Sequence, residues 1–216
     1  MKRVVLVVMV LLAVVLVWRW NAPVPALRDG DLVFQSSHSR QSTAILAATR
    51  SAYTHMGIIE RHSDGLYVVE ADGPVKTTPL GVWIARGRFG RYAVYRYRGL
   101  TSAQAAAVLR AAHVYDGRPY DLFFSFDNRA IYCSELPWLA FRAAGVPVGQ
   151  VETLGALHVD SALTGRLIRA RWRQDPACAG LSFDACVSVL RRRPMITPKA
   201  MARDPHLDRV YSNYPW

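Results

Sequence analysis

Apolar and polar positions alternate along most of the chain in a pattern that predicts an α+β domain. Strand-like runs occupy residues 29–35, 55–60, 66–71 and 91–98, and RYAVYRYR in the last run alternates at a period of two. Helix-like runs occupy residues 39–51, 101–115, 132–145, 161–172 and 184–193. Near the C-terminus, Thr197 followed by Pro198 predicts one more capped turn of helix.

The N-terminal residues follow a different pattern. An uninterrupted apolar run from residue 4 to residue 18 follows Lys2 and Arg3, which is typical of an export segment. The run is shorter than the roughly 20 residues that cross a bilayer comfortably, so a cleaved signal and an uncleaved anchor are both open, and we favour the anchor. We therefore expect a signal or anchor at residues 1–20, a linker at 21–28 and one domain at 29–216. The domain would lie in the periplasm of a bacterial cell envelope, tethered to the inner membrane through residues 4–18.

The charge of the chain narrows the set of partners. Its 216 residues carry a formal net charge of +11, which comes mostly from arginine. Such a surface could meet an anionic membrane or wall polymer, or it could be a solvated surface without a partner. No nucleic acid partner is expected, because the chain is exported and contains no recognition motif.

The three cysteines divide by spacing into a pair and a single residue. Cys178 and Cys186 are close enough in sequence to close a small loop. A disulfide between them is expected in an oxidising compartment, with two buried thiols as the alternative. Cys133 is then left as a single thiol, which needs a separate explanation in an exported protein.

The residues around Cys133 indicate that its thiol lies at the start of a helix. In IYCSELPW, Pro137 lacks an N–H and is tolerated only in the first turn of a helix, so the helix begins at about Cys133 or Ser134. The positive end of the helix dipole stabilises a thiolate there. Cys133 is therefore a candidate nucleophile.

A nucleophilic thiol needs a base, and His55 is the best placed of the six histidines. It opens a predicted strand, and Gly57 two residues later leaves room on the same face. If residues 60 and 65 close a four-residue loop, His55 lies directly opposite Glu70, whose carboxylate could hold one imidazole nitrogen. A five-residue loop would instead turn Glu70 to the other face.

Cysteine, histidine and an orienting carboxylate together describe a thiol hydrolase or an acyl-transfer enzyme. Zinc binding is not supported, because the chain has no CxxC, HxxxH or comparable ligand pair. Nothing in the sequence requires a metal or an organic cofactor, and we expect neither.

Several of these segments together resemble the permuted papain-like cysteine hydrolases of the YiiX/YebB group, which are relatives of the NlpC-type cell-wall peptidases. The resemblance runs from about residue 29 to residue 211 and is carried by GDLVFQ, QSTAILAATRSAYTHMGIIE, YVVEADG, RPYDLFF, YCSEL and ITPKAMARDP. It implies a circularly permuted papain-like (NlpC-type) fold in which the nucleophile helix packs on a small antiparallel sheet.

The resemblance also implies roles for individual residues. Cys133 would be the nucleophile, His55 the base and Glu70 the residue that orients the base. Tyr120 belongs to a GRPY segment that matches GxPY in the NlpC-type relatives, and it would line the oxyanion site beside the Cys133 backbone N–H. Three further residues match the motif, and helix capping and loop fixing are sufficient roles for them: Asp121, Ser134 and Glu135.

These features predict an envelope cysteine hydrolase that cleaves an amide bond through an acyl-thioester, with peptidoglycan stem peptides as the substrate. Two alternatives are open. A lipid amidase, thioesterase or acyltransferase would keep the chemistry and act on a membrane-associated acyl or amide substrate. A non-catalytic module that binds the wall or the membrane would keep the fold alone.

Overall fold

The structure is a computed structural model that describes residues 26–216. The predicted signal or anchor at residues 1–20 and most of the predicted linker lie outside the described residues. Within the described part, no helix is both long enough and apolar enough to cross a membrane.

An antiparallel sheet forms the centre of the fold. The described strands are β1 (Leu32–Ser37), β2 (His55–His62), β3 (Gly65–Ala71), β4 (Val75–Pro79), β5 (Gly87–Tyr97), β6 (Glu152–Thr153), β7 (Pro194–Met195) and β8 (Leu207–Ser212). Six of them form the main sheet in the order β4-β3-β2-β1-β5-β8, and β6 pairs with β7 in a separate sheet.

Helices cover the sheet and extend beyond it. The described α-helices are α1 (Arg40–Thr49), α2 (Leu80–Ala85), α3 (Ser102–His113), α4 (Glu135–Ala143), α5 (Ala162–Arg171), α6 (Phe183–Arg191) and α7 (Pro198–Ala202). Helix α4, which follows Cys133, packs on the antiparallel sheet. The predicted α+β arrangement is therefore confirmed.

The alternation of side chains along the strands divides the apolar core into two layers. On one face of the sheet, Phe34 and Met56 are buried together with Leu136 of α4. On the other face, Ile59 is buried together with Trp83 of α2. His55 lies on the same side of β2 as Ile59. The candidate base and helix α4 are therefore on opposite faces of the sheet.

The hairpin of β2 and β3 differs from the prediction. His62 pairs with Gly65, so the turn contains two residues, and the predicted loops of four or five residues are both wrong. The same register, continued along the ladder, places Glu70 opposite Gly57 and not opposite His55. Because a shift by two residues preserves the face, His55 and Glu70 still share one side of the hairpin. The loop was predicted too long because the polar end of β2 continues the ladder into solvent.

Helix α4 begins close to the predicted position. Its first residue is Glu135, with Ser134 as the N-cap and Pro137 within the first turn, so Cys133 directly precedes the cap. The Ser134 side chain makes no capping hydrogen bond and instead donates to the Ile196 carbonyl oxygen at 2.9 Å. A capping role for the Ser134 side chain was therefore a wrong prediction.

Strands β4 and β8 and helix α2 were not predicted. Helix α2 has six residues and no side-chain cap, and β4 reads VKTTP, which is short and polar. Pairing of β4 with β3 and of β8 with β5 determines these elements. Local sequence patterns carry little of that information.

Residues 154–193 form a mainly helical segment outside the main sheet, which we call the stapled segment because a disulfide closes a loop within it. Within it, a disulfide joins Cys178 to Cys186, with the two Cα atoms 5.0 Å apart. The two cysteines are buried together with Leu190, and Trp172 packs against this small cluster. The segment therefore has a core of its own, separate from the two layers of the sheet.

Candidate active site

Cys133 lies in the tight turn that leads into α4, and it is 2% exposed. In this turn the Leu136 N–H donates to the Tyr132 carbonyl oxygen at 3.2 Å. The Cys133 Sγ atom lies 3.9 Å from the carbonyl oxygen of Thr54, the residue just before β2. The turn therefore brings the thiol from one side of the sheet to the end of β2, where His55 is the first residue.

The His55 ring is held between two side chains. Its Nε2 atom lies 2.6 Å from Oε2 of Glu70, a residue with no solvent exposure. The Trp83 ring stacks on the imidazole with the ring centroids 5.9 Å apart. Because Glu70 holds Nε2, Nδ1 is the ring nitrogen left available for the Cys133 thiol, which lies beside Thr54 at the start of the same strand.

The Glu70 carboxylate is itself fixed by donors on its other oxygen. Thr78 Oγ1 donates to Oε1 at 2.7 Å, and the Arg86 guanidinium donates to the same oxygen. Arg86 also pairs with Asp72. Glu70 is thus a buried anion with one oxygen committed to Thr78 and Arg86 and the other oriented toward His55.

The pKa values of the pair follow from these contacts. Burial lowers the pKa of His55, but the interactions with Cys133 and Glu70 outweigh it and raise this pKa from 6.5 to about 10. Burial raises the pKa of Glu70, but contacts with His55, Thr78 and Arg86 outweigh it and lower this pKa from 4.5 to about 2. At neutral pH the site therefore pairs a His55 imidazolium with the Glu70 carboxylate, close to the Cys133 sulfur.

Gly57 allows β2 and β3 to approach closely beside this pair. A Cβ atom at position 57 would contact Cγ1 of Val68, and it would lie 2.8 Å from the Val69 carbonyl oxygen and 3.3 Å from Glu70 Cβ. The expectation that Gly57 leaves room on the face of His55 is confirmed.

Replacing Gly57 by alanine should therefore disturb the site as well as the sheet. We expect Gly57→Ala to lower the free energy of unfolding by about 1–3 kcal/mol and to lower activity by displacing Glu70 from His55. Chemical denaturation and steady-state kinetics measure the two effects. Gly81→Ala is the matched control, because a Cβ there meets nothing within 4 Å. Equal stability and activity in the two variants would contradict this account.

A short backbone bridge places Tyr120 beside Cys133. Tyr120 and Ile131 form a parallel bridge, and the Ile131 N–H donates to the Pro119 carbonyl oxygen at 2.9 Å. The Gln41 side-chain amide donates to the Tyr120 hydroxyl at 3.4 Å. Burial and the Cys133 sulfur raise the pKa of Tyr120 well above the ordinary value of a phenol, so the hydroxyl stays protonated. The Cys133 N–H and the Tyr120 O–H are two donors that could hold an oxyanion.

Three residues that hold the site together were missed by the sequence reasoning: Thr54, Thr78 and Arg86. Thr54 Oγ1 accepts from the Ser37 N–H at 3.1 Å and contacts the Ser42 hydroxyl, which ties the entrance of β2 to β1 and α1. A polar residue directly before an apolar strand was a signal for Thr54. Arg86 follows a helix that was not predicted, so no local signal connected it with Glu70.

Two of the remaining motif residues have structural contacts. The Asp121 carboxylate accepts from the Phe123 N–H at 2.7 Å, so its predicted role in fixing a loop is confirmed. The Glu135 carboxylate accepts from the Tyr132 N–H at 3.2 Å. Burial, together with the charges of nearby aspartates, raises the pKa of Glu135 to about 8.

Two cavities open beside the reacting groups. The polar cavity, of about 510 Å³, is lined on one side by His55, Tyr120, Gln41 and Arg86. The apolar cavity, of about 100 Å³, is lined by Cys133 and Ser134 and by apolar side chains of α1 and of the stapled segment. His55 thus lines the polar cavity, and Cys133 lines the apolar cavity.

A buried cysteine at a helix N-terminus, a histidine on an adjoining antiparallel strand and a carboxylate behind that histidine define the class of papain-like cysteine hydrolases. Here the histidine precedes the cysteine in the chain, which is the reverse of the order in papain. The chain belongs to the family described as permuted papain-like amidase enzyme, YaeF/YiiX, C92 family, whose model matches residues 26–211.

Two relatives place the chain within this family. It is 33% identical over 190 residues to the uncharacterised protein YiiX of Escherichia coli K12, covering 87% of this chain and 88% of that protein. A crystal structure from Escherichia coli O157:H7, described as the metalloprotein YiiX, matches with a TM-score of 0.77 and 34% identity, covering 87% of this chain and 98% of that one. The prediction of a permuted papain-like cysteine hydrolase is confirmed, and the non-catalytic module is set aside.

Proposed function

We propose that this enzyme hydrolyses an amide bond through an acyl-thioester on Cys133, with His55 as acid and base and Glu70 as the residue that orients His55. The orientation of the His55 ring is the main support for this proposal. Glu70 holds Nε2 at 2.6 Å, which leaves Nδ1 available for the Cys133 thiol.

The steps can be followed atom by atom. The Cys133 thiolate attacks the amide carbonyl carbon, and the carbonyl oxygen gains a negative charge to which the Cys133 N–H and the Tyr120 O–H donate. The His55 imidazolium gives its proton to the amide nitrogen, the C–N bond breaks and the amine leaves. A water molecule then attacks the thioester, its proton passes to His55, and the C–S bond breaks to release the acid and restore the thiolate.

Two substrate classes are candidates for this chemistry. Stem peptides of peptidoglycan, the predicted substrate, are favoured by kinship with wall peptidases and by the polar cavity, which is large enough for a peptide segment. A lipid-like acyl amide is favoured by a different observation, the apolar cavity on the Cys133 side. Both classes lead to the same reaction at the sulfur atom.

The proposed place of action is the periplasmic side of a bacterial envelope, with residues 4–18 as the anchor in the inner membrane. The apolar run itself supports this proposal. The disulfide in the stapled segment also suits an oxidising compartment. The mass of the mature protein from fractionated cells distinguishes an intact anchor from a cleaved signal.

A metal is no part of the proposed steps. The Escherichia coli O157:H7 relative is described as a metalloprotein. Within residues 26–216, no group of three or more His, Cys, Asp and Glu side chains is placed to hold a metal ion. The donor set in this part of the chain therefore does not fit a metal centre, and we derive no step through one.

Hydrolysis in ¹⁸O-labelled water tests the proposed function. Purified sacculi and N-acyl amides are offered separately, and the products are identified by mass. We expect one ¹⁸O atom in each newly formed carboxyl group, and an acyl group on the Cys133 peptide after rapid acid quenching. An unlabelled product made with an added amine or alcohol would indicate acyl transfer, and turnover without acylation of Cys133 would contradict the mechanism.

A further inference from the structure

The stapled segment carries an excess of positive charge. It contains seven arginines, three aspartates, and no lysine or glutamate. Asp160 pairs with Arg191, and Asp175 pairs with Arg193 at 2.7 Å. Asp184 is exposed and forms no ion pair within the described part of the chain. Most arginines of the stapled segment therefore have no carboxylate partner there, and their charge is open to a partner outside the chain.

Three of these arginines share one exposed face of α5 and of the short turn that follows it. Arg166, Arg169 and Arg173 are exposed, and so is Leu163, which is 45% exposed. They are spaced three or four residues apart, which places side chains on the same side of a helix. Ile168, on the opposite side of α5, packs against the cluster around the disulfide. We call these four exposed residues the arginine face.

Aromatic rings hold two of the arginines in place. The guanidinium carbon of Arg169 lies 4.0 Å from the centroid of the Phe183 ring, and that of Arg173 lies 5.3 Å from the centroid of the Trp172 ring. The two rings pack edge to face with their centroids 5.8 Å apart. A cation–π contact orients a guanidinium without neutralising its charge. The two guanidinium groups are therefore fixed and still able to bind an anion.

The arginine face combines positive charge with apolar groups, and this combination favours a lipid surface as its partner. Arginine binds phosphate groups through two hydrogen bonds at once. The exposed Leu163 side chain gains free energy only where it leaves water. Helices that present arginine together with leucine and aromatic side chains bind in the headgroup region of anionic bilayers. A wall polymer of sugars and peptides offers anions, but it has no apolar layer to receive the leucine.

The proposed anchor keeps a bilayer within reach of the domain. Seven residues, 19–25, separate the apolar run from the first described residue, Ala26. Seven residues span at most about 25 Å, whereas a domain of this size is about 40 Å across. The bilayer surface is therefore always less than one domain diameter from Ala26. Docking is then an intramolecular step at an effective concentration on the order of millimolar, so a weak contact is sufficient.

We propose that the arginine face docks on the surface of an anionic phospholipid bilayer. The source of the bilayer rests on the proposed anchor, whereas the docking itself does not depend on the amide chemistry. Each arginine near an anionic surface contributes about fivefold to partitioning, so the three together contribute about 100-fold. Side chains on the other side of α5 line the apolar cavity. Docking therefore holds that cavity about one helix diameter, roughly 10 Å, from the lipid headgroups.

Tryptophan quenching by brominated lipids tests the docking in the full chain. The protein is reconstituted in liposomes of phosphatidylglycerol and phosphatidylethanolamine in equal parts, and the wild-type signal is subtracted to isolate the introduced tryptophan. We expect strong quenching in Leu163→Trp that weakens as salt is added. We expect little quenching in Val114→Trp, the matched control, because Val114 is 70% exposed at the end of α3 and is not part of the arginine face. Phosphatidylcholine liposomes should give little quenching in either variant.

Charge reversal on the Leu163→Trp background locates the effect. Arg166→Glu with Arg173→Glu should lower the ratio of docked to undocked domain by at least about 25-fold, because two contributions of about fivefold are lost and repulsion is added. Arg110→Glu with Arg203→Glu changes the net charge equally. Both of these residues are exposed, lie outside the stapled segment and form no ion pair within the described residues. This control should stay within about twofold of the parent, and thermal unfolding shows that each variant is folded.

The outcomes separate the docking from the proposed anchor and from the proposed function. Equal quenching in phosphatidylcholine, or quenching unchanged by the Arg166 and Arg173 reversal, would overturn the docking. Retention on purified sacculi that depends on the same two arginines, without quenching by lipid, would assign the arginine face to a wall polymer and overturn the bilayer as partner. Release of wild type from liposomes by alkaline carbonate would overturn the anchor, and salt-dependent quenching in that sample would still support docking. Acylation of Cys133 in detergent solution tests the proposed function separately, because it needs no bilayer.

Discussion

Replacing Cys133 by alanine should lower kcat for amide hydrolysis by about 10⁵-fold or more. Without the sulfur no acyl-enzyme forms, and only the oxyanion donors and substrate binding are left to assist direct attack by water. The substitution removes one atom from a residue that is 2% exposed, so the free energy of unfolding should change by only about 1 kcal/mol. Steady-state kinetics and chemical denaturation on the same preparations measure both quantities.

The neighbouring serine provides the control for this variant. Ser134→Ala removes the hydroxyl that donates to the Ile196 carbonyl oxygen at 2.9 Å, which should cost about 1 kcal/mol of stability. It removes no reacting atom, so its kcat should stay within about tenfold of wild type. If a folded Cys133→Ala variant kept more than about one hundredth of the wild-type kcat, the sulfur could not be the nucleophile.

Sequence reasoning found the two reactive side chains because each is marked by a backbone constraint nearby. Pro137 limits where α4 can begin and thereby places Cys133 at the helix N-terminus. Gly57 marks the close approach of two strands beside His55. Constraints of this kind act within a few residues, so they can be read from a sequence without a structure.

The pairing of His55 with Glu70 was predicted through a wrong register. The observed turn has two residues, and the two side chains are diagonal neighbours and not direct partners. The prediction that the two side chains share one face was still correct, because the predicted and observed registers differ by two residues. An error of one residue would have separated the histidine from its carboxylate.

The contacts that hold Glu70 in place could not be predicted from local sequence patterns, and neither could the two cavities. Arg86 reaches Glu70 from the end of α2, across a stretch of chain with weak periodicity. The apolar cavity depends on how the stapled segment packs on α1, and Thr164 Oγ1 donating to the Ala44 carbonyl oxygen at 3.3 Å is one contact that fixes it. Such contacts join residues far apart in the chain, and their apolar or polar character alone does not specify a partner.

Replacing Glu70 by glutamine should lower kcat/KM by roughly 10²–10⁴-fold near neutral pH and move the alkaline limb of the pH profile to lower pH. Glu70 provides one of the interactions that raise the pKa of His55 to about 10. A neutral amide cannot stabilise the imidazolium by charge, so His55 loses its proton at lower pH in the variant. Because the first step needs that proton for the leaving amine, activity is lost with it.

The same pair contributes to folding stability with a defined dependence on pH. The pKa of His55 is raised on folding from 6.5 to about 10, so its contribution is complete below pH 6.5 and is lost as the pH rises through about 10. The pKa of Glu70 is lowered on folding from 4.5 to about 2, so its contribution is complete above pH 4.5 and is lost as the pH falls through about 2. The stability advantage of wild type over Glu70→Gln should therefore be largest between pH 4.5 and 6.5 and shrink on both sides, as denaturation across a pH series would measure.

A variant on the far side of the carboxylate separates charge from position. Thr78→Val removes the hydroxyl that donates to Glu70 Oε1 at 2.7 Å but keeps the carboxylate and its contact with His55. It should lower kcat/KM by about tenfold and move the alkaline limb in the same direction as Glu70→Gln, but by less. An alkaline limb that stayed near pH 10 in Glu70→Gln would show that the Cys133 sulfur alone holds the proton on His55. The carboxylate would then serve to position the ring. That role predicts a lower kcat in Glu70→Gln with no shift of the alkaline limb.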